Sequence, residues 1–433
     1  MTKTEAVAST PTRLATIPPP PDGGFRAWSQ VFAGHLVIFN TWGYINSFGI
    51  FQPYYVSHLA LPASTISWIG SLQILLVYLL GPFSGHAIDR GYFRITITVG
   101  LLLQVVGMVT TSFCKEYWQL LLAQGACQGL GNGMLFCPTI ALVSTYFSTK
   151  RTIAVSTMAC GAATGGMVFP AIARQLLPQI GFGWTVRVMA LVALCNAVIV
   201  VCVVRTRIPK RDTVSLVEWS AFREPAYLLF ACGSFFAFWA VYFCYYFVSN
   251  SHGHRVRLHS APLTPLQIRQ FAKDILNTDE DLSFSILLIL NGMGVPGRLI
   301  PALIADRLLG PVYTYAAVVL CAAIVLFGWI GVSSTPGLIA FTVVYGFFGG
   351  GVQSLFPAAL TSLTTDLSKA GIRIGMMFCV ISVASLTGPP IAGALIQKGG
   401  DGYMGAQVWG GLSMVVGSGF LVGARMVGRG KEE

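Results

Sequence analysis

The sequence predicts an all-α membrane protein in which twelve transmembrane helices form two six-helix repeats. Three observations carry that prediction. Charged residues make up 10% of the chain and hydrophobic residues 54%, whereas a soluble globular domain carries about 25% charged residues. The hydrophobic residues gather into about twelve stretches, each close to the roughly 20 residues that cross a bilayer as a helix. Two motifs recur at nearly equal offsets: Asp89-Arg90 is echoed by Asp306-Arg307, and GNGMLFCP ending at Pro138 by GGGVQSLFP ending at Pro357. Spans of a β-barrel would be about 10 residues long with alternating polarity, and these stretches do not alternate.

Residues 1–27 are polar and Pro-rich (Ile17-Pro18-Pro19-Pro20-Pro21), without the apolar run of a signal peptide, and read as a disordered cytoplasmic tail. The first lobe, 28–205, holds stretches near 28–50, 65–88, 93–113, 117–145, 152–178 and 184–205. Its first stretch is crowded with Phe39, Trp42, Tyr44 and Phe48, and its fifth with Gly161, Gly165, Gly166 and Pro170. Small residues let membrane helices approach closely, and Pro bends them. A basic cytoplasmic loop, 206–225, leads into the second lobe, 226–426. Its stretches lie near 226–249, 282–305, 312–332, 337–362, 372–396 and 405–426, before a short tail at 427–433. The seventh carries Trp239, Tyr242, Tyr245 and Tyr246; the eighth carries Gly292, Gly294, Pro296, Gly297 and Pro301; the eleventh carries Gly388, Pro389, Pro390 and Gly393. Between the seventh and eighth, the polar segment 249–270 reads as an outer loop or as a retained intron. Its His252 and His254 lack a third ligand, so no metal site is expected there.

The net charge of +11 fits topology better than nucleic-acid binding. With the N-terminus cytoplasmic, most of the 27 Lys and Arg residues fall on one side. They include Arg90, Arg94, Lys150, Arg151, Arg205, Arg207, Arg307 and Arg373. Cytoplasmic loops are the ones enriched in such residues, so both termini are placed inside the cell. The ten cysteines have no framework or metal-ligand spacing and read as small packing residues.

Arg298 is the one strong cation deep in an apolar stretch, SFSILLILNGMGVPGRLIPALIADR. If Asp306-Arg307 marks the membrane surface, it lies roughly 12 Å inside. Placing Arg there costs from about 2.5 to more than 10 kcal/mol, and such residues usually face a wet cavity on a substrate path. The plainer reading is an Arg that snorkels, or that pairs with Asp306 to pin the helix end. Acidic residues are missing from the middle of every stretch, so a carboxylate proton relay is not expected. His35 is the other intramembrane group able to titrate, and a lone His on a helix is more often a packing residue. Facilitated diffusion, or symport in which the substrate carries the proton, fits these residues better. The remaining midplane polar set is neutral: Asn40, Asn46, Gln73, Gln128, Asn132, Asn291 and Gln353. Each needs a partner in hydrocarbon, from a neighbouring helix or from a solute. Nothing gathers a nucleophile with its base, paired carboxylates or a cofactor-binding motif, so neither an enzyme nor a cofactor is expected.

These residues also carry a resemblance. PDGGFRAW (Pro21–Trp28) and YFSTKRTIAVSTMACGAATGGMVFP (Tyr146–Pro170) resemble two motifs of the monocarboxylate porter branch of the major facilitator superfamily. GHAIDR (Gly85–Arg90) resembles the superfamily's loop motif after span two. GRLIPALIADR (Gly297–Arg307) resembles the branch's span eight, and GYINSFGIFQPYY (Gly43–Tyr55) is similar to fungal members. The resemblance implies the major facilitator fold and an Arg298 that binds a substrate carboxylate. This chain departs at Gly294, where animal members carry Asp, at Asn46, where they carry Lys, and at Thr149, the first basic position of the span-five motif. The expectation is therefore an alternating-access transporter of an organic anion, monocarboxylate-like or larger, working as a monomer in the plasma membrane. Arg298, Asn46, Asn132, Asn291 and Gln353 are the candidate substrate residues, and Asp89, Arg90, Asp306 and Arg307 the candidate cytoplasmic latches. The alternatives are an exporter of a fungal secondary metabolite and a membrane sensor that no longer transports.

Overall fold

A computed structural model describes residues 20–207, 217–249, 280–364, 370–398 and 403–429. Most of the Pro-rich tail, the middle of the central loop and all of 249–270 beyond Ser249, with His252 and His254, lie outside the described residues. The described chain is helical, without strands. Helix α1 is Gly24–Leu59, and α2 is Ala63–Leu79 continued by Gly81–Asp89. Helix α3 is Phe93–Thr111. Helix α4 runs from Tyr117 to Tyr146 through a π-helical turn at Leu121–Cys127. The rod Arg151–Val203 supplies α5 and α6, which divide at Gly181. There φ is 74°, a left-handed value that only glycine adopts freely. Helix α7 is Pro225–Ser249, and α8 is Glu280–Ile304 with a π turn at Ala305–Leu309. Helices α9 (Pro311–Gly328), α10 (Thr335–Leu363), α11 (Ala370–Lys398) and α12 (Met404–Arg429) complete the chain.

Nine helices among the described residues are long and apolar enough to cross a membrane, the Arg151–Val203 rod counting as one, and Pro225–Val241 is a shorter apolar helix. Counting the rod as two and adding α1 and α7 gives twelve traverses. Long rows of exposed apolar side chains run along α3 (Ile95, Val99, Leu102, Val106), α6 (Leu191, Leu194, Val198, Val201) and α12 (Leu412, Val415, Val416). In water such rows would be a liability; on a membrane protein they are the lipid-facing surface.

The helix packing repeats. In the first lobe α1 packs on the Arg151–Val203 rod, and α4 packs on α2 and α3. In the second lobe α7 packs on α11 and α12, and α10 packs on α8 and α9. Two seams join the lobes, α2 against α11 and the α5–α6 rod against α8. A shift of six helices exchanges one seam for the other. At the Gly81–Gly85 end of α2 in the first seam, glycines bring the backbones together. A Cβ on Gly85 would lie 2.6 Å from the carbonyl oxygen of Gly371, and one on Gly375 would lie 2.6 Å from that of Gly81. Real side chains do not sit so close, so this end of the seam tolerates only hydrogen at these positions.

Candidate functional site

Arg298 sits where the sequence places it, inside α8, and it is 2% exposed. Its Nη1 donates to the Gly294 carbonyl one turn earlier at 2.9 Å, and its Nη2 donates to Gln353 Oε1 on α10 at 3.0 Å. Two glycines make the niche for this guanidinium. A Cβ on Gly294 would collide with Nη1, and one on Gly350 would come within 3.0 Å of it. The Gly294 departure from the resembled pattern therefore has a physical consequence: the space of that missing side chain holds the guanidinium. The Arg298 Nε is buried without a hydrogen-bond partner. Among the described residues no carboxylate lies within ion-pair distance of Arg298. A buried guanidinium with an unused N–H has the chemistry to receive an anion.

Arg298 and Gln353 face a cavity of about 40 Å³ between the lobes. The other walls are mostly aromatic and aliphatic: Ile38 and Trp42 of α1, Tyr78 of α2, Phe136 and Ile140 of α4, Met158 of α5, Phe238 of α7, Phe356 of α10 and Phe378 of α11. Trp42 lies 5.8 Å from Tyr78 and 5.9 Å from Phe136 between ring centroids. Phe136 lies 5.0 Å from Phe378, and Phe356 lies 5.6 Å from Phe378 and 5.2 Å from Phe238. The aromatic wall is therefore continuous from one lobe to the other.

The other polar candidates are not all at this cavity. Asn46 and Asn291 meet across α5, where a Cβ on Gly166 would lie 2.6 Å from Asn46 Nδ2 and 2.7 Å from Asn291 Oδ1. Asn291 precedes Arg298 by two turns, roughly 10 Å along the helix. Its Nδ2 donates to the Leu287 carbonyl at 3.0 Å. Asn132 lies elsewhere, inside the first lobe. It accepts from Gln104 Nε2 at 2.6 Å, and the same amide reaches Thr41 Oγ1 at 3.3 Å. His35 ties α1 to α5: Nδ1 is 3.1 Å from the Thr157 carbonyl, and Nε2 is 3.0 Å from Thr164 Oγ1. Because a carbonyl only accepts, Nδ1 carries the proton, and both ring nitrogens are engaged. Phe39 packs on Phe169 inside the first lobe, and of the first-stretch aromatics it is Trp42 that reaches the cavity.

Asp306 does not pair with Arg298. Its Oδ1 accepts from the Thr152 backbone N–H at 3.1 Å and its Oδ2 from that of Ile153 at 2.8 Å. The carboxylate thus caps the first turn of α5, where unpaired N–H groups and the helix dipole favour an anion. Alongside it, Arg151 donates from Nε to the Phe147 carbonyl at 3.0 Å and from Nη1 to the Thr361 carbonyl of α10 at 3.5 Å. At the other end of the same seam, Arg174 of α5 lies over the Phe284 ring of α8, 4.3 Å from its centroid. Arg90 and Arg307 are exposed, and the side chain of Asp89 lies outside the described residues.

Sequence reasoning missed most of the aromatic wall. A signal for two members was in hand: Phe136 and Phe356 both stand in the LF pair that closes the repeated motif before Pro138 and Pro357. Tyr78 and Phe378 carry no such mark.

The profile of the Major Facilitator Superfamily matches residues 31–335. The chain belongs to this superfamily. It is 45% identical to an MFS-type transporter of Gibberella zeae over 95% of this chain and 89% of that one. It is 32% identical to an Aspyridones efflux protein of Emericella nidulans over 95% of this chain and 81% of that one. Among solved structures it matches the human organic anion transporter TETRAN with a TM-score of 0.67, at 14% identity, over 94% of this chain and all of that one; this likeness concerns the fold alone. The family is one of multi-pass membrane transporters and not of enzymes.

Proposed function

We propose that the protein carries an organic anion across the plasma membrane by alternating access, in the outward direction, with both termini cytoplasmic. The single observation behind this reading is Arg298: buried, without a carboxylate partner among the described residues, and keeping an unused Nε–H beside an inter-lobe cavity. In a low-dielectric interior that charge is stabilised most by a countercharge, and the substrate supplies it. Gln353 holds the guanidinium from α10, so the fork that receives the anion is oriented before the anion arrives. Asn46 and Asn291 form a second polar station farther along the α5–α8 seam, while Asn132 belongs to the internal frame of the first lobe. Efflux is favoured by the name of the Emericella nidulans relative, an Aspyridones efflux protein. The motif resemblance at Pro21–Trp28 and Tyr146–Pro170 favours the monocarboxylate porter branch.

The cavity is about 40 Å³, room for a few waters and well short of the roughly 300–1,000 Å³ of an organic-ligand site. Loading and release therefore require the lobes to part. Asp306 on the first turn of α5 acts as one cytoplasmic latch, with Arg90 and Asp89 as its counterpart on α2. Neutralising Arg298 with the substrate's own charge lets the pair stay in the apolar seam while the lobes rock. Proton movement then comes with the substrate or not at all.

Flux of a panel of carboxylates into proteoliposomes tests this. Charge-assisted hydrogen bonds contribute about 1.5–3 kcal/mol, so Arg298→Ala lowers anion flux by roughly 10- to 100-fold or more, and Arg298→Lys recovers part of it. Wild-type flux through a folded Arg298→Ala protein would falsify the reading.

A further inference from the structure

We propose that Tyr78 and Phe378 form a displaceable aromatic seam that selects substrates with a flat, unsaturated body. The inference rests on the reading of Arg298 as the anion site and adds what the rest of the substrate must look like.

The two rings come from different lobes, Tyr78 from α2 and Phe378 from α11. They stack with centroids 5.5 Å apart and planes 27° apart. Each is 2% exposed. Phe378 is the hub of the wall. It touches Tyr78 and Phe136 from the first lobe and Phe356 from the second. All four line the same cavity as Arg298 and Gln353. An anion seated on Arg298 thus has its remaining atoms among these rings, because Gln353, the Tyr78 hydroxyl and the Trp42 indole N–H are the other polar side-chain groups of a cavity lined mainly by rings and aliphatic side chains.

The seam backbone near these rings cannot yield locally. One turn toward the cytoplasm, α2 and α11 are in backbone contact at Gly81 and Gly375. Beside the stack, Cys379 Sγ lies 3.8 Å from the Leu79 carbonyl oxygen. With the helices so close and a cavity of about 40 Å³, the volume a substrate body needs is now filled by the rings themselves. Entry of a substrate replaces ring–ring contact with ring–substrate contact. A flat π-system restores stacked and edge contacts with the displaced rings, whereas a saturated chain restores only dispersion. The seam therefore rewards planar acids and leaves short aliphatic acids with a net loss of contacts.

The test uses the full-length protein in nanodiscs, with ligand-induced shifts of the unfolding temperature and proteoliposome flux as readouts. The probes are benzoate, 1-naphthoate and 9-anthracenecarboxylate against hexanoate and octanoate, all single carboxylates. Wild type binds the arene acids in order of ring number and more tightly than the alkanoates. Phe378→Leu, which keeps an apolar side chain but removes the ring, lowers the arene-to-alkanoate affinity ratio by about fivefold, the scale of one aromatic pair. Phe378→Tyr restores the ratio. Arg298→Gln weakens every probe alike. An unchanged ratio in Phe378→Leu, with binding still dependent on Arg298, overturns the seam and leaves the anion site standing. No Arg298-dependent binding of any probe by wild type overturns both.

Discussion

The two lobes repeat one packing plan and differ in the polar groups they bury. The first buries neutral amides: Gln30, Asn40, Gln52, Gln73, Gln104, Gln124, Gln128 and Asn132. They bond to one another and to hydroxyls. Asn196 donates to Asn40 at 2.8 Å, Gln104 to Asn132 at 2.6 Å, Gln128 to Thr111 at 3.2 Å and Tyr55 to Gln124 at 2.8 Å. Among the described residues the second lobe buries only the amides Asn291 and Gln407; its buried aromatics are about as numerous as those of the first, with Phe356 stacked on Phe230, and Phe341 stacked on both Trp329 and Tyr345. Among the described residues, the buried charges are Arg298 and Arg373 in this lobe and Glu218 just before it. The difference teaches that the electrostatics of the central site come from one side. The first lobe is a neutral frame presenting a wall, and the second carries the charge.

The comparison breaks most visibly at Arg373. Its Nε donates to Glu218 Oε2 at 3.0 Å and its Nη2 to Glu218 Oε1 at 3.3 Å. Its Nη1 reaches Glu224 Oε2 at 3.0 Å. Both carboxylates come from the segment leading into α7, so this one guanidinium fastens the inter-lobe connection to the start of α11. The Glu218 side chain is 10% exposed and that of Glu224 is 40% exposed, so Glu218 would bear the loss. Removing one partner of a buried pair costs about 3–5 kcal/mol. Arg373→Ala is therefore expected to lower the unfolding midpoint in detergent by several degrees. Combining Arg373→Met with Glu218→Gln recovers most of that loss, since it removes the stranded charge. A single mutant as mild as an amide deletion in the first lobe would show that the charges of the second lobe are not its special feature.

That milder deletion is the second way to sharpen the contrast. Gln104→Leu removes the donors to Asn132 and Thr41. It also removes a buried Oε1 that has no partner, which offsets part of the loss. Hydrogen bonds between membrane helices contribute about 0.6 kcal/mol on average and about 1.7 at most. The expected cost is about 1 kcal/mol, read from the same unfolding midpoint, with anion flux retained. A loss equal to that of Arg373→Ala, or abolished flux, would mean that the amide ladder does more than hold the first lobe together.

These contrasts were unevenly legible in the sequence. Twelve apolar stretches and the repeated motifs were visible because membrane helices are set by length and apolarity alone. Arg298 was visible because a guanidinium in hydrocarbon needs a reason. Asn132 and Asn291 looked alike, since an amide in an apolar helix carries no mark of whether it faces a neighbour or a cavity. Tyr78 and Phe378 were invisible for the same reason, as their pairing depends on which helices meet at the seam. Arg373 was counted among the cytoplasmic positive charges, and its bonds to Glu218 and Glu224 join positions far apart in the chain.

The smallest expected effect concerns a carboxylate just ahead of the first lobe, at the surface and outside the membrane. Asp22 adopts φ 51° just before α1, a left-handed conformation that Asp tolerates better than most residues. Its backbone N–H donates to the Tyr146 carbonyl at 3.1 Å. Its Oδ1 accepts from the backbone N–H groups of Ser148 at 2.5 Å and Thr149 at 2.9 Å, and its Oδ2 accepts from the Ser148 hydroxyl. Partial burial pushes this carboxyl up, but the bonds from Ser148 and Thr149 outweigh it and hold the group below its ordinary value. The folded value is thus lower than the unfolded one of about 3.9. The resulting stability is fully present above about pH 4 and is lost as pH falls through the folded value. Because the site is solvent-exposed, the effect is a few tenths of a kcal/mol. Asp22→Asn is expected to lower the unfolding midpoint slightly at neutral pH, with the gap to wild type narrowing toward pH 3. A gap that stays constant with pH would show that Asp22 acts through its left-handed turn alone and not through its charge.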